Sequence, residues 1–307
     1  MSRQAHSELG TKDVGRERGR RADFLELGMA TSALSPQSAG AGVDPRVRHR
    51  RNVARLDGNG VAVVSYPGAG AALLGNIILE LGLDYVDPYT EYLDREGTAR
   101  PAPDRVGYRR RLAASARRDD RGAATGETRF VKTHLLPEDF PQPRGVVLLV
   151  RDPRDTLFSY YCWRLAFSEE GERRDLRGFL ESVEPLGLRP VDDWSRFHRL
   201  WTAVADTSLG PTTLVRFEEL KSEPVNATNR LLKAVRVAAA AEDVASAVAS
   251  STFEQMRRHE DRNATGQPRI MRRGLCGEWK EWYHGEIADY FQGAEFRAIA
   301  LHLGYVI

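Results

Sequence analysis

The sequence is short of cysteine, of lysine and of long apolar runs. Its two cysteines, Cys162 and Cys276, are too few for a disulfide framework, so we expect reduced thiols in a cytoplasmic protein. No stretch is apolar for long enough to cross a bilayer, and we expect no membrane span. The net charge of +2 is too small to indicate nucleic acid as a partner. Only five of the 45 basic residues are lysines, so a lysine inside a motif stands out.

The 307 residues are enough for one large α/β domain with a tail. Residues 1–55 are rich in Arg, Ser, Gly and Ala, which predicts a flexible N-terminal extension. From residue 56 onward, short β-branched runs alternate with helical patterns. Strands are predicted at 60–65, 129–132, 146–150 and 213–217, and helices at 71–83, 153–163 and 224–234. We therefore assign residues 56–307 to one domain with a central parallel sheet flanked by helices.

A glycine-rich turn follows the first predicted strand. Pro67-Gly68-Ala69-Gly70 leads directly into the helical pattern that starts at Ala71. Glycines let backbone N–H groups converge on an anion, and a helix N-terminus adds partial positive charge. Such turns also occur for packing alone, so this one indicates a phosphate site only weakly. It lacks the terminal Gly-Lys-Ser/Thr of a Walker A motif, which leaves a P-loop kinase poorly supported.

Two basic segments farther along the chain are candidates for binding a second phosphate. Arg151 ends a predicted strand, where its guanidinium group can make paired bonds to a phosphate. Ser159 lies two helical turns later and can reach the same face. The pair Arg272-Arg273 precedes Gly274 near the end of the chain. The alternative interpretation is a surface arginine in one case and a solvated basic loop in the other.

Several segments together resemble the PAPS-dependent sulfotransferases of the cytosolic type. The resemblance spans about residues 60–282 and is carried by these segments: Ser65-Tyr66-Pro67 with Gly70, Lys132-Thr133-His134-Leu135-Leu136-Pro137, Arg151-Asp152-Pro153 with Ser159, and Arg272-Arg273-Gly274-Leu275-Cys276-Gly277-Glu278-Trp279-Lys280. Leu214–Lys221 and Ser251–Met256 are weaker matches. The resemblance implies a P-loop-like sulfotransferase fold, PAPS as the sulfuryl donor, PAP as its product, and no metal.

The resemblance also implies which residues hold the donor. The donor loop and the helix start would bind its 5′ side through Tyr66, Pro67, Gly68, Ala69, Gly70, Ala71 and Ala72. Its 3′-phosphate would be bound by Arg151, Ser159, Arg272, Arg273 and Gly274. Its adenine would contact Phe217 and Phe253. The sequence departs from the family at Gly68, where a lysine is usual, and at three alanines where hydroxyl residues usually bind the phosphosulfate.

The candidate catalytic residues are His134 and Lys132. Sulfuryl transfer requires that the acceptor oxygen lose its proton as it attacks sulfur, and an imidazole suits that task. The resemblance therefore implies that His134 is the general base. Charge that develops on the bridging oxygen must also be stabilised. Because Gly68 cannot do this, Lys132 is the best remaining candidate.

Two hypotheses for function follow from these residues. The first is an active sulfotransferase that modifies a hydroxyl or amine of a small-molecule acceptor. The second is a catalytically weak or inactive homologue that only binds the nucleotide, suggested by Gly68, Ala71 and Ala72. We expect the acceptor to contact the variable segments 84–126 and 164–200, but no motif identifies it. Arginines at 109–111, 117 and 118 could favour an anionic acceptor, although solvated arginines are commoner. We expect a monomer or a homodimer.

Overall fold

The computed structural model describes residues 45–56, 60–96, 98–101, 128–140, 143–168, 170–183, 187–207, 210–263 and 269–307. All of them belong to one structural unit. Most of the predicted extension, residues 1–44, lies outside the described residues, and so does the arginine-rich stretch from 102 to 127. Among the described helices, none combines the length and the apolar character needed to cross a membrane.

A five-stranded parallel sheet forms the centre of the fold. The described residues form the strands β1 (Gly60–Ser65), β2 (Asp84–Val86), β3 (Glu91–Leu93), β4 (Ala99–Pro101), β5 (Arg129–Thr133), β6 (Gly145–Val150) and β7 (Thr212–Arg216). The sheet has the order β2-β5-β1-β6-β7, whereas β3 and β4 form a separate antiparallel pair. Every residue of β1 and β6 is buried, as expected for central strands covered on both faces.

Helices flank this sheet, as the sequence predicts. They are α1 (Pro45–Val53), α2 (Ala71–Glu80), α3 (Pro153–Phe167), α4 (Leu176–Glu181), α5 (Pro190–Thr207), α6 (Phe217–Ser222), α7 (Pro224–Ala234), α8 (Ala241–Ser250), α9 (Phe253–Asn263), α10 (Glu286–Asp289) and α11 (Ala294–His302). Short 3-10 turns lie at Pro137–Asp139, Glu170–Glu172 and Glu278–Glu281. Buried residues of α2, α7 and α8 share one core with alternate residues of β1 and β6. α5 contacts α3, α4 and α11 in a second group.

The predicted elements match closely, apart from differences at their ends and short strands that were not predicted. The predicted strand 213–217 runs one residue too far, because Phe217 already begins α6. The short strand β2 was not predicted. Its three residues lie in the polar segment 84–126, where one short apolar run carries little periodicity.

The helix α1 lies within the stretch that the sequence predicts as flexible. Asn52 is almost fully buried and makes two hydrogen bonds with the main chain of β3. Its Nδ2 donates to the main-chain oxygen of Glu91 at 3.2 Å, and its Oδ1 accepts from the Leu93 N–H at 2.8 Å. His49 on the same helix is also fully buried. The structure therefore differs from the prediction at residues 45–53, because a few polar contacts, invisible to apolar periodicity, attach this helix to β3.

Candidate active site

The carboxyl ends of neighbouring parallel strands bring the predicted site segments to one edge of the sheet. Val64 of β1 pairs with Thr133 of β5, and Ser65 pairs with Leu149 of β6. The ends of β6 and β7 are adjacent in the same way. Ligands of open α/β sheets bind outside this edge. It is therefore the candidate active site.

The donor loop (Tyr66–Gly70) turns sharply between β1 and α2. Gly68 and Gly70 have φ angles of 92° and 97°, in the left-handed region that favours glycine. A Cβ atom on Gly68 would lie 2.3 Å from the main-chain oxygen of Thr156 and 2.9 Å from the nitrogen of Tyr160. Both atoms belong to the backbone of α3. The lysine that is usual in the resembling family therefore cannot fit this loop unless the loop and α3 move apart.

The side chains of the donor loop mostly point into the protein. Tyr66 is 2% exposed, and its hydroxyl donates to Asp193 Oδ2 on α5 at 3.0 Å. Ala69 is 1% exposed, and its N–H donates to the Tyr66 oxygen at 3.1 Å. Pro67 is half-buried. These contacts fix the shape of the turn, so the loop can meet a ligand mainly through its backbone.

The N-terminus of α2 begins at the same edge without a side-chain cap. The cap residue is Gly70, which has no side chain that could cap the helix. The first turn contains no acidic residue. Ala71 and Ala72 supply the first-turn N–H groups, and a helix terminus of this kind attracts anions. Ser159 on α3 lies beside the loop, with its Cβ 3.3 Å from the place that a Cβ on Gly68 would take. This corner of the site fits an anionic group.

Arg151 connects the donor loop to the late basic segment (Arg272–Trp279). Its Nη1 donates to the Gly68 oxygen at 3.0 Å, and its Nη2 donates to the Leu275 oxygen at 2.8 Å. The guanidinium carbon lies 4.7 Å from the centre of the Phe217 ring. The side chain is buried, yet its Nε has no hydrogen-bond partner among the described residues. A buried donor without a partner is rare. Arg151 thus keeps one donor that the described part of the chain does not use.

Asp155 fixes the late basic segment against α3. Its carboxylate accepts from the N–H groups of Gly277 at 2.6 Å and Trp279 at 2.8 Å, and it lies 3.8 Å from Nη2 of Arg151. Burial raises the pKa of Asp155, and the charge of Arg151 and the two N–H donors only partly offset this. The segment is therefore attached beside the donor loop by its main chain.

The side chains of Arg272 and Arg273 bond to acidic groups. Arg272 pairs with both carboxylate oxygens of Glu278, and Arg273 Nη1 donates to the same carboxylate at 3.0 Å. Burial alone would raise the pKa of Glu278, but bonding to Arg272 and the two positive charges lower it overall. The sequence predicts that both guanidinium groups face a phosphate together with Arg151. Here they bond to carboxylates, and Arg151 meets the segment at the Leu275 oxygen.

The two predicted adenine contacts each cover a glycine. Phe217 lies over Gly70, where a Cβ would come within 2.3 Å of the ring. Phe253 lies over Gly274, where the corresponding distance is 2.4 Å. Both glycines have positive φ angles. Two aromatic rings thus lie against bare backbone, one at the donor loop and one at the late basic segment.

His134 follows β5 directly, and its ring orientation is fixed by the end of β1. Its Nδ1 lies 2.6 Å from the main-chain oxygen of Ser65, which can only accept. The proton of the neutral ring therefore lies on Nδ1, and Nε2 carries the lone pair. Burial lowers the pKa of His134 to about 3, the charge of Lys132 lowers it too, and the Ser65 bond and Asp87 oppose them. The ring is neutral at physiological pH.

Lys132 lies on β5, two residues before His134. Its Nζ donates to Asp87 Oδ2 at 3.1 Å, and both side chains are largely buried. The same ammonium lies 5.2 Å from the centre of the Tyr89 ring. That ring is also 5.0 Å from the ring of His134. A cation and a neutral imidazole thus lie side by side under the segment that follows β2.

Sequence reasoning missed three acidic residues of this site. Asp155 and Glu278 lie inside recognised motifs, and the spacing of four residues between Arg151 and Asp155 indicates a helical ion pair. Asp87 follows the unpredicted strand β2 and belongs to no recognised motif. The pairing of β2 with β5 is what brings it to Lys132, and that pairing is not readable from a three-residue strand.

Comparison with known sequences identifies one family. The family described as "Sulfotransferase domain" matches residues 60–294. Sulfotransferase 1E1 of Mus musculus is 23% identical over 177 residues, which cover 53% of this chain and 59% of that protein. Sulfotransferase 1A1 of Canis lupus familiaris is 26% identical over 170 residues, 51% of this chain and 57% of that protein. The matched part thus spans less than two thirds of each of these relatives.

Comparison with solved structures shows the same fold. Mouse sulfotransferase SULT7A1 complexed with PAP covers 84% of this chain and 92% of its own, with 16% identity and a TM-score of 0.55. Retinol dehydratase in a complex with retinol and PAP covers 85% and 86%, with 16% identity and a TM-score of 0.56. The same enzyme with androsterone and PAP gives 84% and 85%, with 18% identity and a TM-score of 0.53. With the family match over most of the chain, this chain belongs to the sulfotransferase family.

Proposed function

We propose that this chain transfers the sulfuryl group of PAPS to a hydroxyl or amine of a small-molecule acceptor, by in-line displacement with His134 as general base. When bound, PAPS supplies the sulfuryl group and leaves as PAP. The observation that carries the proposal is the short contact between His134 Nδ1 and the Ser65 oxygen at the carboxyl edge of the sheet. PAP in the complexes of the structural neighbours supports this donor.

The protonation state of His134 suits a general base. Because Nδ1 donates to Ser65, Nε2 is the atom that can take the proton of an acceptor. The pKa of about 3 keeps this nitrogen unprotonated at every physiological pH. A base with so low a pKa drives proton transfer weakly, so the role depends on orientation and on a positive charge that stabilises the leaving oxygen.

Lys132 supplies that positive charge in the proposal. It lies two residues from His134, and its ammonium is held at the same edge by Asp87. The packing of Gly68 against α3 leaves the donor loop no room for a lysine of its own. Lys132 would therefore stabilise the charge on the leaving oxygen. Because the donor loop has no lysine to share this task, the effect of Lys132 on turnover should be large.

The donor fits the groups that line this edge. The N–H groups at the start of α2 would hold its 5′ side, and the free Nε of Arg151 with Ser159 would hold the 3′-phosphate. Phe217 and Phe253 would contact the adenine. Arg272 and Arg273 would bond the phosphate through N–H groups that Glu278 does not occupy, or by leaving that carboxylate. The proposal includes no metal.

A nucleotide-binding homologue with little or no catalysis is the second candidate function. The observation that favours it is the closed packing of Gly68, which excludes the usual lysine. His134 and Lys132 argue against it, because neither has a role in holding the nucleotide. The two candidates differ in turnover and agree in binding.

A transfer assay with radiolabelled PAPS and pooled alcohols, phenols, amines and sugars tests the proposal. We expect labelled product from the wild type and a loss of about 100-fold or more in His134→Ala, the usual range for a general base. Lys132→Ala should lower kcat strongly while the affinity for PAP stays unchanged. The exposed residues His284 and Lys233 give matched alanine controls that keep full activity.

Three outcomes would contradict parts of this proposal. Binding of PAP without any transfer would favour the second candidate function. Full activity in Lys132→Ala would remove that residue from the mechanism. Thermal stabilisation by ATP rather than by PAP would indicate a kinase.

The acceptor, the cytoplasm as compartment, and a monomeric or dimeric state remain predictions. Retinol and androsterone, bound by the structural neighbours, are small molecules with a ring and an oxygen function. They support a small-molecule acceptor here. Of the two predicted acceptor segments, the structure describes 84–96, 98–101 and most of 164–200, and the ring of Tyr89 in the first lies 5.0 Å from the ring of His134.

A further inference from the structure

One carboxylate connects the two proposed catalytic side chains. Asp87 Oδ2 accepts from Lys132 Nζ at 3.1 Å, while Asp87 Oδ1 accepts from the N–H of Tyr89 at 3.0 Å. The second bond closes a tight turn that presents the Tyr89 ring to His134 at 5.0 Å. One oxygen therefore places the ammonium, and the other places the ring that covers the imidazole.

The main chain of Asp87 is fixed by Glu91. The Asp87 N–H donates to Glu91 Oε2 at 3.2 Å, and the main-chain oxygen of Asp87 accepts from the Glu91 N–H at 2.8 Å. Glu91 is fully buried on β3. Asn52 of α1 holds the same strand through the Glu91 oxygen and the Leu93 N–H. A continuous set of hydrogen bonds thus runs from α1 through β3 to the carboxylate beside Lys132.

These hydrogen bonds restrict where the ammonium of Lys132 can lie. Lys132 is a long, flexible cation, and its free ammonium could occupy many positions at the edge of the sheet. The acidic partner lies on the neighbouring strand end, because Val86 pairs with Val131 and the next residues are Asp87 and Lys132. A side chain held by a fixed partner loses little further freedom when the donor binds.

We propose that Asp87 is a positioning residue for sulfuryl transfer, which holds the ammonium of Lys132 beside His134 and shapes the turn that covers both. This inference rests on the proposed function. It assigns no contact with the substrate to Asp87. Its effect on turnover is exerted through Lys132, and this distinguishes it from a residue that only supports the fold.

A double-mutant cycle tests this dependence. The four proteins are the wild type, Asp87→Asn, Lys132→Ala and the double variant, with kcat measured at saturating PAPS and PAP affinity measured separately. Asp87→Asn keeps an oxygen for the Tyr89 N–H but loses the charge. We expect it to lower kcat about tenfold with PAP affinity within about twofold, and to have no further effect when Lys132 is already alanine. Asp94→Asn, on the same segment but paired with Arg100, is the matched control.

Two outcomes of the cycle would overturn the inference. A wild-type kcat in Asp87→Asn would do so directly. Effects of the two substitutions that multiply in the double variant would show that Asp87 acts independently of Lys132.

A second readout needs no activity. Acetic anhydride acylates free amines, and the exposed residues Lys221, Lys233 and Lys280 serve as internal references in peptide mass spectra. We expect Lys132 to be acylated at least about threefold faster in Asp87→Asn, because the amine loses its buried partner. Equal rates would overturn the inference. If the wild type transfers nothing, the proposed function fails, and this labelling still decides whether Asp87 positions Lys132.

Discussion

Restoring the family's usual lysine in the donor loop should damage this protein. In Gly68→Lys, the new residue must adopt a φ angle of 92°, and its Cβ would lie 2.3 Å from the Thr156 oxygen. The left-handed backbone costs about 1–2 kcal/mol for a residue other than glycine. Crowding in a packed interior adds about 1–3 kcal/mol. We therefore expect a loss of about 2–5 kcal/mol in the free energy of unfolding.

Gly82 offers a matched control for this substitution. It also has a positive φ angle, 74°, but a Cβ there would meet no atom of the described residues within 4 Å. Gly82→Lys thus carries the backbone cost of about 1–2 kcal/mol without the steric one. The difference between the two variants isolates the contact between the donor loop and α3.

Urea unfolding and thermal melting of both variants measure this difference. At about 2–4 °C per kcal/mol, Gly68→Lys should melt about 4–20 °C below the wild type, and clearly below Gly82→Lys. Its transfer activity should not exceed that of the wild type. A Gly68→Lys protein that is as stable as the Gly82 control and turns over faster would refute the reasoning, because the loop would then accept a lysine without strain.

Three further perturbations address other parts of the structure. Burial lowers the pKa of both His49 and His198 to about 4. Their contribution to stability is complete above the unfolded value of about 6.5 and is lost as the pH falls, so it shrinks by about 2 kcal/mol for each residue at pH 5. Equal urea midpoints at pH 7 and pH 5 would contradict this. Glu278→Gln should cost about 2 kcal/mol, since the buried carboxylate that Arg272 and Arg273 share loses its charge, whereas the exposed Glu281→Gln should cost less than about 1 kcal/mol. Asn52→Ala should cost about 2 kcal/mol by leaving two buried backbone groups of β3 without partners, and an unchanged urea midpoint would show that α1 contributes little.

The sequence predicts the sheet well because its central strands are covered on both faces. A run such as Gly60–Ser65 must be almost wholly apolar to be buried in this way, and that pattern is visible without a structure. The helix α1 shows the opposite case. It carries several arginines, so it resembles a solvated segment. Its attachment to the fold depends on one buried amide and one buried histidine, which composition cannot reveal.

The sequence predicts where the main chain of the candidate site lies better than it predicts the partners of its charged side chains. Arg151, His134 and Lys132 lie at the strand ends where motif and strand pattern place them. The partners of the charged groups were not foreseen, because Asp87 reaches Lys132 through a tertiary contact and Glu278 reaches Arg272 only through the fold of the loop between them. Motifs give residue types at fixed spacing. They do not tell which neighbouring strand or turn will neutralise a charge.

The absence of a lysine at position 68 and the close packing of the donor loop on α3 depend on each other. Without a side chain at Gly68, the loop can lie directly on the backbone of α3, and Arg151 can bond to the Gly68 oxygen from the other side. A lysine at position 68 would lie in the turn between β1 and α2. Lys132 instead lies on a strand, and its ammonium bonds to Asp87. In the proposed function, the contribution of Lys132 to transfer should therefore depend on Asp87 more than on the donor loop.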